Sequence, residues 1–248
     1  MKFIFKLLAV SGAMVLSTIA LATNVRAASI KIGFTVVPGK GYTVATTGKN
    51  ALYSKPGTIR GAKQILSKAK MKRIGSYSKA DASAYVFHGV NNRDKGSTYY
   101  FHAYGYQVTN TGSVYYKVVS QNGKFRGYVY GGKKVGIITG GIKKVQTIRK
   151  VSIPSYLSGD VGIATPGKIW NVVPYTQYKT KIVGKMTAGV TTTIPHLAKF
   201  KIDSAAMRTR ERDTYYHVVP QDNSKLTGWV NAKYMRKYSE IQSDWDVK

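Results

Sequence analysis

The segment that decides the fold is Ser113-Val-Tyr-Tyr-Lys-Val-Val-Ser-Gln-Asn-Gly-Lys-Phe-Arg-Gly-Tyr-Val-Tyr130, in which two strand-like runs flank a turn signal. Val, Tyr and Phe favour strands, and Asn122-Gly123 is typical of a tight hairpin turn with positive φ at both central residues. Side chains alternate between the two faces of a strand. The pattern therefore predicts an antiparallel hairpin with one face in the core and an aromatic, basic face opposite.

The same pattern recurs further along the chain. Thr214-Tyr-Tyr-His-Val-Val219 matches Val114-Tyr-Tyr-Lys-Val-Val119, and Thr227-Gly-Trp-Val230 matches Arg126-Gly-Tyr-Val129. Internal repetition of this kind sets the architecture of a protein. We therefore predict a mostly β protein with two tandem small SH3-like β-barrel modules and one or two short helices. The two matching glycines are expected at equivalent places.

The repeat also predicts where the chain divides. The first basic, Tyr-rich β-module is predicted over residues 45–142 and the second over 163–240, with a linker over 143–162. Apolar residues at roughly helical spacing predict one helix from Ile59 to Ile74.

The N-terminus has the pattern of an export signal. Lys2 and Lys6 precede the apolar run Leu7–Ala22, and Val25-Arg26-Ala27 places small residues where signal peptidase cleaves. Residues 1–27 are therefore predicted to be a signal peptide. A membrane anchor is the alternative, but the run is shorter than the roughly 20 residues needed to span a bilayer. We expect a secreted, cell-wall-associated protein without a membrane span.

Charge points to an anionic partner. The chain has a net charge of +29 and no cysteine, so its fold contains no disulfide. Residues 28–159 carry 22 basic and 2 acidic residues, against 14 and 8 in residues 160–248. Such an excess attracts polyanions. Because an exported protein rarely meets nucleic acid, the expected partner is a wall polysaccharide or teichoic acid; the alternative is that the charge only keeps the protein soluble.

Several segments of the first module resemble one family. Asn50-Ala-Leu-Tyr-Ser-Lys-Pro-Gly-Thr58, Gly61-Ala-Lys63, Val114–Val119, Gly123-Lys-Phe-Arg-Gly-Tyr-Val-Tyr-Gly-Gly132 and Gly140-Gly-Ile-Lys143 are similar to the N-terminal region of surface-layer proteins of the Lactobacillus brevis and buchneri type. The long glycine- and tyrosine-rich string is the most specific of these. The short Gly-Trp-Val string of the second module is less specific, because bacterial SH3-like wall-binding modules also contain it.

The resemblance continues in the second module at Trp170, Pro174-Tyr-Thr-Gln-Tyr-Lys179, Thr209-Arg-Glu211 and Tyr215-Tyr-His-Val218. It implies that this chain anchors to a cell-wall polysaccharide, since the family's N-terminal part has that role and its C-terminal part assembles the lattice. The chain ends soon after the second module, at Lys248, which predicts a small relative or an anchoring fragment. Self-association or a larger surface-layer protein would be a further partner.

Aromatic and basic side chains are the expected binding groups, because rings stack on sugars and cations pair with phosphate or carboxylate. Tyr104 and Tyr106 are also among the aromatic residues available for stacking. In each Tyr-Tyr pair the rings point to opposite faces, so one of the two is expected to be buried. The candidate polysaccharide-binding residues are Tyr53, Tyr115, Tyr116, Lys117, Lys124, Arg126, Tyr128, Tyr130, Trp170, Tyr175, Tyr178, Arg208, Arg210, Tyr215, Tyr216 and Trp229.

Catalysis finds little support in the sequence, and we expect no enzyme, no cofactor and no metal site. His88, His102, His196 and His217 lack the spacing of metal ligands, and there is no cysteine nucleophile. No phosphate-binding loop or nucleotide-binding fingerprint occurs. Two other functions stay open: the wall-targeting region of a cell-wall hydrolase, and an adhesin that binds host matrix through its charge.

Overall fold

The part of the chain that the structure describes is mostly β and forms two eight-stranded antiparallel sheets with few helices. The computed structural model describes residues 27–76, 100–164, 167–186, 194, 198–221 and 225–246. The predicted signal peptide lies outside the described residues except for Ala27. The mostly β class is therefore as expected, while an SH3-like barrel for each module stays a prediction.

The first sheet is formed by residues in the N-terminal half of the chain. Its strands are β1 (Ile30–Val36), β2 (Tyr42–Thr46), β3 (Leu52–Tyr53), β4 (Gln64–Leu66), β5 (Tyr100–Thr109), β6 (Val114–Ser120), β7 (Arg126–Gly132) and β8 (Ile142–Lys144). The strands run in the order β4-β3-β7-β6-β5-β2-β8, and β1 pairs with the far half of β5.

The second sheet repeats this arrangement. Its strands are β9 (Ile148–Lys150), β10 (Val161–Ile163), β11 (Gly167–Trp170), β12 (Ile182–Met186), β13 (Phe200–Arg208), β14 (Thr214–Pro220), β15 (Gly228–Asn231) and β16 (Met235–Lys237). They run in the order β12-β11-β15-β14-β13-β10-β16, with β9 paired to β13. Each strand of the first sheet thus has a counterpart in the second, taken in chain order.

The cores of the two sheets correspond at several positions. Within each sheet, the apolar side chains of the inner face form one cluster, which in the first sheet also takes in Met71. Burying one such aliphatic or aromatic side chain contributes about 1.5–3 kcal/mol. The matched pairs, all almost fully buried, are Val44 and Val161, Leu52 and Ile169, Phe101 and Phe200, Val118 and Val218, and Val129 and Val230.

Both predicted hairpins are present. Val118 pairs with Gly127 in the first, and Val218 pairs with Gly228 in the second, so the two glycines occupy equivalent places. A Cβ on Gly127 would meet the carbonyl oxygen of Tyr53, and one on Gly228 would meet the carbonyl oxygen of its counterpart, Trp170. The absence of a side chain is what lets β3 and β11 approach their partner strands.

The turn of the first hairpin differs in detail from the prediction. Only Gly123 has positive φ, at 78°. Asn122 uses its side chain instead: its Oδ1 accepts hydrogen bonds from the Lys124 amide and the Ser120 hydroxyl, at 3.0 and 2.7 Å. An asparagine side chain that closes a turn in this way leaves its own backbone in an ordinary conformation.

The helix predicted from Ile59 to Ile74 is shorter than expected. Only α1, Lys68–Gly75, is helical, and its N-cap is Ser67, whose Oγ accepts from the Lys70 amide at 3.1 Å. The preceding residues form β4, which pairs with β3. The prediction was wrong there because β4 gains cross-strand hydrogen bonds, while a Ser N-cap begins the helix late.

The segment predicted as a linker, residues 143–162, contributes to both sheets, since it holds the end of β8, the whole of β9 and the start of β10. The module boundaries 45–142 and 163–240 stay predictions, because the extent of a sheet does not fix a folding unit. A second helix, α2 (Tyr238–Asp246), follows the last strand, and short 3-10 turns lie at Ser155–Leu157 and Ala232–Tyr234. Within the described residues, no helix has the length and apolar character needed to cross a membrane.

Replacing Gly127 or Gly228 by alanine should destabilise the protein by about 1–3 kcal/mol each, because the new methyl group is forced against a backbone carbonyl. Urea unfolding of the full chain measures the free energy of unfolding. The control is Gly159→Ala, where a Cβ meets no atom within 4 Å, and its effect should stay within about 0.5 kcal/mol. Equal effects at all three positions would contradict the close approach.

Candidate functional site

The outer face of the first sheet, opposite its core, carries a group of rings and cations that we call the aromatic–cationic cluster. Alternation along the strands puts these side chains outward where their neighbours point into the core. Lys117 lies opposite Tyr128 across β6 and β7, and Tyr53 lies opposite Tyr128 on the other side. The cluster consists of Phe34, His102, Tyr104, Lys117, Arg126, Tyr128 and Tyr178.

Lys117 is the first cation of the cluster. Its Nζ lies 5.5 Å from the ring centre of Phe34 and 5.4 Å from that of Tyr128, within the range of cation–π attraction. Phe34 is 47 % exposed, while Tyr128 is nearly buried beneath the lysine. Gly105 makes this possible, because a Cβ there would overlap the Phe34 ring. The arrangement holds an ammonium group above an open aromatic surface.

Arg126 is the second cation, and it links the two sheets. Its guanidinium donates to the Tyr104 hydroxyl at 2.7 Å and to the Tyr178 hydroxyl at 3.1 Å, and lies 5.4 Å from the Tyr104 ring centre. The hydrogen bond to Tyr104 is the main reason that the pKa of Arg126 is raised. Tyr178 belongs to the loop between β11 and β12, so a loop that connects two strands of the second sheet completes the cluster.

His102 stacks between the same two tyrosines. Its ring lies 6.0 Å from Tyr104 and 5.7 Å from Tyr178, with the planes inclined by 15° and 9°. Partial burial lowers the pKa of His102 below 6.5, since it disfavours the charged imidazolium. Gly41, with φ of 76°, allows the ring this place, because a Cβ there would come 2.7 Å from the imidazole Cε1.

A cleft opens beside His102 where the two sheets meet. Its volume is about 540 Å³, and its walls combine rings, amides, hydroxyls and ammonium groups. Among the lining residues are Lys40, His102, Gln146, Gln177, Tyr178 and Lys179. These groups can stack on a sugar ring and exchange hydrogen bonds with its hydroxyls.

The loop of residues 171–181 is held in an unusual conformation. Tyr175 and Lys179 both have positive φ, 59° and 69°, which costs energy for residues other than glycine. The Tyr175 ring lies 6.0 Å from that of Trp170, while Tyr178 is directed onto the first sheet. The strained loop therefore places one tyrosine on each sheet.

The outer face of the second sheet has its own aromatic group. His217 lies opposite Trp229, and their rings are 5.2 Å apart in an edge-to-face arrangement. Asp203 Oδ1 is 2.7 Å from His217 Nδ1. Trp170 pairs with Trp229 across β11 and β15, so both sequence-predicted tryptophans are neighbours on one face.

Six predicted binding residues are buried, one of which is Tyr128, beneath Lys117. In each Tyr-Tyr pair both rings are covered, where one was expected to be open: Tyr116 and Tyr216 enter the inner cores, while Tyr115 and Tyr215 lie under the outer face. That prediction was wrong because loops cover the outer face next to the strands. The last of the six, Arg208, is 1 % exposed. In this conformation none of the six is accessible to a polymer.

Arg208 serves the fold through a buried ion pair. It donates from Nε and Nη2 to the two carboxylate oxygens of Asp213, at 2.7 and 2.9 Å, and from Nη1 to the Pro174 carbonyl oxygen. The Asn231 amide also donates to Asp213. Although burial opposes it, the surrounding charges hold the pKa of Arg208 well above its ordinary value. The guanidinium thus ties the 171–181 loop to the turn after β13.

Three predicted residues, Lys124, Tyr130 and Arg210, are at least partly exposed but lie apart from the cluster. Lys124 contacts the Phe125 ring beside the hairpin turn, Arg210 faces Tyr100, and Tyr130 meets the buried Tyr115 edge-to-face at 5.6 Å. The structure therefore brings Lys117, Arg126, Tyr128 and Tyr178 together, with Tyr53 next to them in the sheet.

Tyr104 was named from the sequence only as a nearby aromatic, and four further residues of these two faces were not chosen as binding candidates: Phe34, His102, Asp203 and His217. Phe34 belongs to the alternating run Ile30, Ile32, Phe34 and Val36, all exposed, which is an unusual pattern for a strand and could have indicated it. The histidines have no local signal, because their partners come from other strands. No group of three or more potential metal-binding side chains occurs in the part of the chain that the structure describes.

Acid should weaken the fold through His102. Because the pKa is lowered in the folded state, the folded protein binds fewer protons there than the unfolded chain. The stabilisation is present above pH 6.5 and is lost as the pH falls through the folded pKa. NMR titration of the His102 ring in the full chain measures this pKa, and Tyr178→Leu should raise it towards 6.5. An unchanged pKa in Tyr178→Leu would show that the stack does not bury the imidazole.

Asp213→Ala should cost about 3–5 kcal/mol of unfolding free energy, because it leaves the buried Arg208 guanidinium without its main counter-charge. Chemical unfolding is the measurement. Asp160→Ala, at an exposed carboxylate, is the matched control and should change stability by no more than about 0.5 kcal/mol. A loss of similar size in both variants would argue against a structural ion pair.

Comparison with known proteins assigns no family to this chain. No family model and no curated protein matches it. One solved structure, described as a candidate autolysin from Listeria monocytogenes, is similar with 16 % identity and a TM-score of 0.29. The match covers 84 % of this chain and 66 % of the other, so the chain spans just under two thirds of that protein's length. At this TM-score the likeness supports no assignment of fold or function.

Proposed function

We propose that this protein is a non-catalytic, exported surface protein that binds a cell-wall polysaccharide through the aromatic–cationic cluster. The observation that carries the proposal is the placement of Lys117 and Arg126 above partly open rings on one outer face. In this proposal the rings stack on sugar units and the two cations pair with phosphate or carboxylate groups of the polymer.

The charge balance supports an anionic ligand. Within the described residues, neither Lys117 nor Arg126 forms an ion pair with an acidic side chain, so both charges stay available for a ligand. The chain carries a net charge of +29, with most of the excess in residues 28–159, which hold the two cations. Long-range attraction of this kind concentrates polyanions at a surface. The charge balance therefore favours a teichoic acid or another phosphate-bearing wall polymer as the ligand.

The resemblance to surface-layer proteins of the Lactobacillus brevis and buchneri type agrees with this proposal. In that view each module would be an SH3-like wall-binding unit, and the protein would sit on the outside of a Gram-positive cell. A lattice partner, whether another copy or a larger surface-layer protein, would then bind elsewhere on the molecule.

Co-sedimentation with purified walls tests the proposal. The full chain should pellet with intact walls and lose most binding after hydrofluoric acid extraction, which removes phosphate-linked polymers. The same walls, incubated with the protein, should release no reducing ends and no new amines. Release that survives repurification would favour a hydrolase, and binding only to host matrix proteins would favour an adhesin.

Salt should weaken wall binding, and each cluster cation should contribute to that dependence. Contacts that neutralise a polyanion release counterions, so each lost contact makes the slope of log affinity against log salt shallower. For nucleic acids the change is about 0.7–0.9 per contact, and we expect a change in the same direction here. Lys117→Met and Arg126→Gln should show this reduction in the full chain. Lys143→Met, which removes an exposed lysine of β8 outside the cluster, should leave the slope almost unchanged. Equal slopes in all variants would contradict a localised site.

A further inference from the structure

The second sheet carries three groups at the positions equivalent to the cluster of the first. His217 and Trp229 face each other across β14 and β15 as Lys117 and Tyr128 do across β6 and β7. The first sheet has an irregularity between Ala103 and Gly105, and the second has one between Ile202 and Ser204. Tyr104 and Asp203 are the bulged residues at these two equivalent places.

The chemistry at the equivalent positions differs. A permanent cation, Lys117, is replaced by the imidazole of His217, and the phenol of Tyr104 is replaced by the carboxylate of Asp203. Tyr128 is replaced by the larger indole of Trp229. The same frame therefore presents a cation above rings on one sheet and a carboxylate beside an indole on the other.

The geometry of the second group is well defined. Asp203 Oδ1 lies 2.7 Å from His217 Nδ1, and since a carboxylate only accepts, Nδ1 carries the proton. The Ser204 hydroxyl donates to the same oxygen at 3.1 Å. The imidazole is thereby fixed edge-to-face against Trp229, with ring centres 5.2 Å apart. The side chains of His217 and Asp203 are 25 % and 51 % exposed.

We propose that Trp229, His217 and Asp203 form a second saccharide-binding site, separate from the aromatic–cationic cluster, that takes an uncharged pyranose. The indole provides a flat apolar face for the C–H groups of a sugar ring. The Asp203 carboxylate accepts from a sugar hydroxyl, and the Nε2 of His217 can form a hydrogen bond with another. This inference rests on the proposed function only in taking the ligand to be a wall glycan.

Within this group, an uncharged ligand is favoured over an anionic one because the carboxylate of Asp203 would repel a phosphate placed against it. The imidazole of His217 does not carry a permanent charge that would offset this repulsion. Trp170, beside Trp229 in the sheet and 6.0 Å from Tyr175, extends the aromatic surface for a further sugar unit. The two sheets would then bind chemically different parts of the wall, and binding at one would raise the effective concentration at the other.

Calorimetric titration of the full chain with two types of probe tests the proposal. The uncharged probes are chitohexaose and maltohexaose, and the anionic probe is poly(glycerol phosphate). We expect at least one uncharged hexamer to bind at millimolar concentration or better. Trp229→Leu should weaken that binding about tenfold, the equivalent of about 1.4 kcal/mol, without changing affinity for poly(glycerol phosphate). Lys117→Met should weaken binding of poly(glycerol phosphate) without changing the affinity for the uncharged hexamer.

Two further variants guard against a folding defect. Asp203→Asn changes an exposed carboxylate and His217→Gln a partly exposed imidazole. Each should weaken binding of the uncharged hexamer while the thermal unfolding midpoint changes little. Tyr156→Leu removes another aromatic ring, 62 % exposed and outside the site, and should have no effect on either probe.

The proposal is overturned if neither hexamer binds, or if Trp229→Leu and Asp203→Asn leave hexamer binding intact. It is also overturned if Lys117→Met weakens hexamer binding as much as Trp229→Leu and Asp203→Asn do. One shared site would then explain the binding of both ligands. In each of these cases binding of poly(glycerol phosphate) would leave the proposed function standing. If the unmodified protein bound a hexamer but bound neither poly(glycerol phosphate) nor cell walls, the result would instead contradict the proposed function alone.

Discussion

Cross-strand pairing within the hairpins β6–β7 and β14–β15 fixes the side on which every residue of the two faces lies. Because neighbouring residues point to opposite faces, the register that buries Val118 and Val129 also turns Lys117 and Tyr128 outward. A slip by one residue would exchange the core with the binding face. Gly127 and Gly228 protect this register by admitting the next strand at close distance. Core and candidate sites therefore depend on the same hydrogen-bonded ladder.

On this shared frame the two sheets differ in chemistry. The inner faces keep buried apolar residues at five matched pairs, whereas the outer faces keep positions and change groups, as at Lys117 and His217. The difference is as expected for a scaffold whose packing constrains one face while the other is open to change. Tyr178 and Arg126 then couple the two faces, since one hydrogen bond and one ring stack join residues of different sheets.

Much of the fold could be predicted because its signals are local. The alternation and the repeated Gly-Tyr-Val and Gly-Trp-Val strings predict both hairpins and the equivalent glycines. Contacts between distant segments could not be predicted: His102 and Tyr178 meet only once the two sheets are in place. Arg208 carries no sequence signal of burial, since its role depends on Asp213 and on the carbonyl of Pro174. The double burial of the Tyr-Tyr pairs likewise depends on loops that cover the outer face.

The near-identity of the two strand orders also bears on how the chain reaches its native state. A β6 strand in the unfolded chain meets two acceptable partners, β7 and its counterpart β15, which share the same pattern of inward and outward residues. Closing the long loop to β15 costs more entropy than closing the short turn around Gly123, by an amount that grows as about (3/2)RT ln n. The tight turn around Gly123 therefore favours pairing of β6 with β7 over an exchange of strands between the two sheets.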